Sequence, residues 1–173
     1  MTDVDKRMQD MLMERLHTLC PEAEFIGEEQ ANQRLADGPT WIVDPIDGTT
    51  NFIHDYRCSV ISAALLVDRM PLVGCVCQPY LREVYSAERG KGAYLNESPM
   101  RVSRHDLDHA LVGFGTSPYR EELGQPTMEI ALEFMRRCSD IRRCGSAAAD
   151  LAYVACGRQD VFFELTLKPW DIA

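Results

Sequence analysis

Basic residues, histidines and long apolar runs are scarce in this sequence. Its 173 residues include 18 Lys and Arg against 27 Asp and Glu, which gives a net charge of −9. A nucleic-acid-binding surface needs clustered Lys and Arg, so this balance argues against one. No apolar run is long enough to cross a bilayer, and residues 1–10 are charged and lack the apolar core of a signal peptide. We therefore expect a cytoplasmic protein with neither a membrane nor a nucleic acid as partner.

Cysteine and histidine motifs are also missing. The seven cysteines include no Cys-x-x-Cys, and the four histidines include no His-Glu-x-x-His. Cys75 and Cys77 alternate within an apolar run and should share one face of a strand. Free thiols in a reducing cytosol fit this pattern better than a disulfide framework. His105 and His109 are four residues apart in a polar connection without further ligands, so a metal pair is not expected there.

Helical and extended patterns alternate in a way that predicts one layered α+β domain over residues 1–173 with a mostly antiparallel sheet. Short breaks between the extended segments from 59 to 95 indicate an antiparallel meander. Predicted helices span 3–19, 126–138 and 145–157, with Ser146 as N-cap and Gly157 as C-cap. Predicted strands span 25–29, 40–46, 111–115 and 160–165, and residues 30–38 are predicted to form a loop. Trp170-Asp171 resembles the start of another helix, so we expect the chain to be a fragment.

The segment WIVDPIDGTTNF, residues 41–52, places two carboxylates at the end of an apparently buried strand. Pro45 fixes its own φ and keeps Asp44 extended, so the chain can turn and bring Asp44 and Asp47 together. Two such charges about 4 Å apart repel by roughly 4 kcal/mol at an effective dielectric constant of about 20. A divalent cation reverses the sign of that interaction, and oxygen ligands favour Mg²⁺.

The residues that follow are suited to binding an anion. Gly48, Thr49 and Thr50 come at a predicted helix start, where free N–H groups and the positive end of the helix dipole attract phosphate. The alternative is a turn with an Asp or Thr helix cap, which explains one of the two carboxylates but not both. The motif therefore favours metal and phosphate chemistry.

At these residues the sequence becomes recognisable. WIVDPIDGTTNF resembles a signature of the inositol monophosphatase family, which consists of Mg²⁺-dependent, Li⁺-sensitive phosphatases of small phosphorylated molecules. Further segments resemble the family in the same order along nearly the whole chain: TDVDKRMQDML, FIGEE, RRCGSAAADLAYVACGRQDVFFE and KPWDIA. The resemblance implies the layered α/β sandwich shared with fructose-1,6-bisphosphatase. It also implies a domain incomplete at both ends, without an N-terminal helix and a C-terminal α/β portion.

The resemblance also implies a site. Two or three Mg²⁺ ions would be held by Glu28, Asp44, Asp47, Asp171 and the carbonyl of Ile46. Thr49 and Asp5 would act in catalysis by orienting a water for in-line attack on phosphorus. Substrate would be bound by Gly48, Thr49, Gly145, Ser146, Ala147 and Glu164.

Other interpretations of nearby residues remain open. Glu164 could instead be a solvated acid at a strand end. Arg142 and Arg143 could approach a phosphate, but we expect them at a surface or interface. We expect Lys168 in solvent and Trp170 in packing beside Asp171.

The expected function is Mg²⁺-dependent hydrolysis of a small phosphorylated polyol, foremost inositol monophosphate. Alternative substrates in the same superfamily are fructose 1,6-bisphosphate, histidinol phosphate and adenosine 3′,5′-bisphosphate. A different class of function is a truncated, non-catalytic relative that binds metal or protein, since some bacterial relatives associate with the transcription machinery. Family members are commonly dimers, so a homodimer is expected.

Overall fold

The computed structural model describes residues 3–28, 35 and 37–172 of the chain. Its helices are α1 (Asp3–Leu19), α2 (Thr49–Ile53), α3 (Gly124–Met135), α4 (Ala147–Ala155) and α5 (Pro169–Ile172). Its strands are β1 (Glu24–Gly27), β2 (Thr40–Asp47), β3 (Val60–Val67), β4 (Met70–Gln78), β5 (Glu83–Glu88), β6 (Gly92–Leu95), β7 (Ser98–Pro99), β8 (Leu111–Phe114), β9 (Asp140–Arg142) and β10 (Val161–Phe163). The predicted loop over 30–38 lies mostly outside the described residues.

The larger sheet confirms the predicted meander. Its strands follow chain order from β1 to β7; β1 runs parallel to β2, and every other neighbouring pair among the described strands is antiparallel. Every residue of β2 is buried. A strand covered on both faces needs apolar residues at consecutive positions, which accounts for the run at Trp41–Val43. The first polar side chains at the end of β2 are consequently placed deep in the molecule.

A second sheet was not predicted. Its order is β10-β8-β9, and both pairs are parallel. Parallel neighbours need long crossover connections, and α3 connects β8 to β9 while α4 connects β9 to β10. The three-residue β9 is too short to show a strand period in the sequence. In this arrangement the N-terminus of α4 points toward the end of β2.

Helix α1 forms where its apolar spacing predicted, but its buried face differs from the expected one. Its buried residues are Asp5 and Gln9, whereas Val4, Met11 and Leu19 are exposed. A Cβ atom added at Gly27 would lie 2.1 Å from Gln9 Oε1, so the glycine leaves space for this polar side chain. Hydrophobic periodicity therefore identified the helix and not the side that packs on the sheet.

Apolar packing beneath the end of β2 joins the first strands to the end of the chain. Ile26, Ile42, Ala64 and Leu66 form one buried cluster, and Trp170 packs against it. The prediction that Trp170 has a packing role is confirmed. The cluster holds α5, and with it Asp171, beside β2.

Removing one side chain from this cluster should weaken the fold. Ile42 is 3% exposed, so Ile42→Ala should lower the free energy of unfolding by about 2–5 kcal/mol through lost burial and a residual cavity. Ile53→Ala is the matched control, since Ile53 is 59% exposed and should change stability by less than about 0.5 kcal/mol. Urea unfolding followed by circular dichroism measures both, and equal effects would contradict the packing described.

Candidate metal and phosphate site

A cavity of about 480 Å³ lies where the end of β2 meets the starts of α2, α4 and α5. Most of the side chains predicted to form the site line it. These residues are Glu28, Asp44, Ile46, Asp47, Gly48, Thr49, Gly145, Ser146, Ala147, Glu164 and Asp171. The tertiary structure thus brings together five separate segments of the sequence.

Three carboxylates converge in this cavity. Asp44, Asp47 and Asp171 each offer one oxygen, and these oxygens lie within 4.8 Å of one another. Residues three apart on a regular strand point to opposite faces. The pairing of β2 with β3 is irregular between Asp44 and Asp47, which lets the two side chains share a side. Pro45, which has no N–H to donate to the ladder, lies in this irregularity.

Burial makes the charged form of these acids costly. It raises the pKa of Asp44 to about 10, with further contributions from the charges of Asp47 and Glu28. Burial also raises the pKa of Asp47 to about 6, and hydrogen bonds from Ser146 and Ala148 oppose this shift. The pKa of Asp171 is raised by burial as well. A cation among these oxygens would offset the repulsion, so the cluster could bind a metal ion.

The start of α4 holds Asp47 in place. Ser146 Oγ and the Ala148 N–H both donate to Asp47 Oδ2 at 2.7 Å. Ser146 Oγ also accepts a hydrogen bond from the Ala149 N–H at 3.4 Å, which confirms the predicted N-cap. A carboxylate at a helix N-terminus is favoured by the free N–H groups and the helix dipole. These contacts fix the position of the Asp47 carboxylate, which lines the cavity.

Short-range hydrogen bonds shape the turn between β2 and α2. The Ile46 N–H donates to Asp44 Oδ1 at 2.9 Å, and Thr49 Oγ1 donates to the Ile46 carbonyl at 3.2 Å. Gly48 has a φ of +89°, which glycine adopts without strain. A Cβ at Gly48 would lie 3.1 Å from the carbonyl oxygens of both Cys58 and Gly145. The turn therefore requires glycine at this position.

Asn51 is a structural member of the site that the motif analysis did not single out. Its buried Nδ2 donates to the carbonyls of Cys58, Cys144 and Gly145 at 2.6, 2.8 and 3.3 Å. It thus joins α2 to the turn before α4. Nothing in the local spacing indicates these distant acceptors, so sequence reasoning had no signal for them.

Glu164 directly follows β10, is partly buried and lines the cavity. Its Oε1 accepts hydrogen bonds from the Ser117 N–H and from Ser117 Oγ, both at 2.9 Å. Ser117 is buried and has a φ of +43°. A Cβ at Gly115 would lie 1.9 Å from Glu164 Oε2, so Gly115 makes room for the carboxylate. Sequence analysis did not identify Ser117 or Gly115.

The remaining predicted residues are divided between the cavity and the surface. Arg142 is exposed and pairs with Asp140, as expected of a surface arginine. Arg143, in contrast, lines the cavity and donates to Thr116 Oγ1 at 3.1 Å. Lys168 is exposed and lines the cavity. Asp5 is 1% exposed on α1, and the described residues that line the cavity do not include it.

His105 contacts Asp160 and His109 contacts Asp106, through Nδ1 in both cases, so each histidine pairs with a carboxylate of its own. All seven cysteines are free thiols and are partly exposed. No helix in the described part of the chain is both long and apolar enough to cross a membrane.

The sequence pattern of the inositol monophosphatase family matches residues 1–173. The chain belongs to the inositol monophosphatase family. It is 38% identical to inositol monophosphatase 1 of Solanum lycopersicum over 179 residues, which cover 99% of this chain and 66% of that protein. It is 37% identical to the Nus factor SuhB of Escherichia coli over 174 residues, which cover 99% of this chain and 65% of that protein.

Solved structures agree with this assignment. The inositol monophosphatase from Anabaena (Nostoc) matches with a TM-score of 0.91 and 33% identity, covering 97% of this chain and 68% of that one. This agreement confirms the predicted α+β fold of the inositol monophosphatase type. The chain spans about two-thirds of the length of these relatives.

Loss of the Asn51 side-chain amide should loosen the site. Asn51→Ala removes the donor from buried carbonyls and should lower the free energy of unfolding by about 1–3 kcal/mol. Thr50→Ala is the control on the same helix, because Thr50 is exposed and should behave as wild type. Chemical unfolding of both variants measures the difference, and an Asn51→Ala protein as stable as wild type would show that these contacts are dispensable.

The acidic cluster should make the metal-free protein less stable as pH rises. The folded-state pKa values of Asp44 and Asp47 lie above the ordinary aspartate value of 3.8, so the folded state binds more protons than the unfolded state above that pH. The resulting stability is complete below about pH 4 and is lost as pH rises through the folded-state values. We therefore expect Tm in a chelating buffer to fall between about pH 5 and about pH 8.

Asp44→Asn isolates this contribution. Because Asn Oδ1 can keep the bond from the Ile46 N–H, the variant should be more stable than the metal-free wild type at about pH 8, by on the order of 2 kcal/mol. Its Tm should also vary less with pH. Asp10→Asn, at an exposed position on α1, is the charge-matched control. A wild-type pH dependence retained in full by Asp44→Asn would contradict the assignment.

Proposed function

We propose that this chain forms the metal- and phosphate-binding part of a Mg²⁺-dependent phosphatase that hydrolyses a small polyol phosphate, foremost inositol monophosphate. The observation that carries the proposal is the cluster of Asp44, Asp47 and Asp171 oxygens within 4.8 Å of one another. The cluster shares its cavity with the glycine-initiated helix start at Gly48. Membership of the inositol monophosphatase family supports the same chemistry.

The donor set suits a hard cation. Glu28, Asp44, Asp47, Asp171 and the Ile46 carbonyl would hold two or three Mg²⁺ ions, since all of these residues line one cavity and offer oxygen. When bound, Mg²⁺ would neutralise phosphate charge and lower the pKa of a coordinated water. The protein's own contribution is to hold the carboxylates in place through the Ile46, Ser146 and Ala148 contacts.

Phosphate would bind at the first turn of α2. The Phe52 N–H bonds to the Gly48 carbonyl, so the N–H groups ahead of it have no intrahelical partner and can meet phosphate oxygens. Thr49 Oγ1 donates its proton to the Ile46 carbonyl, which leaves its lone pairs to accept from a water and orient it toward phosphorus. Asp5, buried on α1 next to β2, is proposed to assist Thr49.

Substrate hydroxyls would be recognised by other residues that line the same cavity. Glu164 is held by Ser117 and can accept from hydroxyls, while the Gly145–Ala147 turn offers N–H groups. The relative from tomato is named an inositol monophosphatase, which supports inositol monophosphate as the first substrate to test. Fructose 1,6-bisphosphate, histidinol phosphate and adenosine 3′,5′-bisphosphate remain the alternative substrates.

A second proposal is a binding role without turnover. The relative from Escherichia coli is named Nus factor SuhB, which supports a protein partner for this chain. A homodimer is a further proposal, which sedimentation of the purified chain would test.

Phosphate release from the four substrates, with and without Mg²⁺ and Li⁺, tests the proposed function. We expect Mg²⁺-dependent release from inositol monophosphate and inhibition by Li⁺. Asp44→Asn should lower kcat by roughly 10²-fold or more because it removes a charged metal ligand. Thr49→Ala should lower kcat by a similar factor through loss of water orientation. Asp10→Asn is again the control with wild-type activity.

Glu164→Gln tests substrate recognition separately. Gln can still accept from Ser117 but loses the charge, so KM for inositol monophosphate should rise by about tenfold with a smaller change in kcat. Release of phosphate from none of the substrates, together with intact Mg²⁺ binding measured by calorimetry, would favour the binding role over catalysis.

A further inference from the structure

Cys58 and Cys144 come from distant parts of the sequence and meet behind the phosphate-binding turn. Their carbonyl oxygens accept hydrogen bonds from the same nitrogen, Asn51 Nδ2, at 2.6 and 2.8 Å. Their side chains interact as well, through a hydrogen bond between the two thiols that shifts the pKa of each. Both residues are only partly buried, so a small oxidant can approach them.

The other thiols have no hydrogen bond to a second thiol among the described contacts. Cys138 Sγ donates to the Asp140 carbonyl and Cys156 Sγ to the Tyr153 carbonyl. Cys75 and Cys77 share a face of β4, but they are two positions apart on an extended strand, about 6.6 Å between Cα atoms. That separation is at the upper end of the range for a disulfide, and parallel Cβ directions disfavour it.

We propose that Cys58 and Cys144 form a redox modification site, in which hydrogen peroxide converts the two thiols into a disulfide that a reducing thiol can reopen. The backbone arrangement supports this, because the shared hydrogen-bond donor, Asn51 Nδ2, holds the two residues side by side. The proposal goes beyond the proposed phosphatase function and does not require it.

The reaction would proceed in two balanced steps. The Cys58 thiolate attacks one peroxide oxygen, the O–O bond breaks, one water leaves after proton transfer, and Cys58 becomes a sulfenic acid. The Cys144 sulfur then attacks the Cys58 sulfur, the S–O bond breaks, the S–S bond forms and a second water leaves. In total two thiols lose two protons and two electrons, and one peroxide becomes two waters.

The environment favours Cys58 as the attacking thiol. The hydrogen bond with Cys144 lowers the pKa of Cys58, although burial opposes the shift, and the same hydrogen bond raises the pKa of Cys144. Gln159 Nε2 lies 3.7 Å from Cys144 Sγ and helps to fix its position. Cys144 is therefore placed to resolve the sulfenic acid.

A disulfide here would tie together two segments that support the site. Cys58 follows α2, and Cys144 precedes the turn whose Ser146 and Ala148 donate to Asp47. Gly48 packs against the carbonyls of Cys58 and Gly145. The cross-link would therefore stiffen the backbone behind the acidic cluster and close a long loop of the unfolded chain.

Peptide mapping after peroxide treatment tests the proposal directly on the wild-type chain. The expected result is loss of two thiols per chain and a non-reduced peptide pair containing Cys58 and Cys144, which separates on addition of dithiothreitol. Cross-links confined to other cysteines, or sulfinic acid at Cys58 without a cross-link, would overturn the proposal.

Thermal unfolding of variants gives an independent measurement. Oxidised wild type should have a Tm about 5–15 °C above that of the reduced protein. Cys58→Ser and Cys144→Ser should lose this difference, whereas Cys75→Ser, as the matched control, should keep it. A Cys58→Ser protein that retains the full oxidation-dependent increase would overturn the pairing, and the peptide map of wild type remains decisive if either variant folds poorly.

Discussion

The burial of carboxylates at the end of a fully enclosed strand is the constraint on which the rest of this structure depends. Asp44 and Asp47 are the two charged residues of β2, and burial raises the pKa of both. Such groups are costly unless a hydrogen bond or a cation compensates them. Much of the surrounding architecture supplies that compensation.

Each element next to the two buried acids contributes to this compensation. The irregular pairing of β2 with β3 turns both acids to one side. The capped start of α4 directs two donors at Asp47, and the apolar cluster below β2 holds α5 so that Asp171 joins them. Asn51 joins these supports by bonding to the carbonyls on either side of the turn. Among the described contacts, the Ile46 N–H is the donor to Asp44, so the burial of this acid is only partly compensated there and the site could bind a cation.

Local patterns predicted the long elements well and the contacts between elements poorly. The predicted helix over 3–19 and the meander from 59 to 95 are confirmed because periodicity and turn residues are local signals. The parallel second sheet was missed because β9 has three residues and no readable period. The buried face of α1 was missed because Gln9 is accommodated by a glycine on another strand. Such pairings depend on distant residues, which spacing along the chain does not encode.

The sequence by itself determined the chemistry of this protein: the acids around Pro45, the glycine that begins a helix, and the order of segments that resembles one family. Carboxylate, hydroxyl and glycine have properties that do not depend on the fold, so the type of site could be inferred from composition and spacing. Only the tertiary structure decided which residues hold these groups in place. Ser117 against Glu164, Asn51 across three carbonyls, and Cys58 beside Cys144 are contacts between remote segments, and their geometry is set by the packing of sheets and helices as a whole.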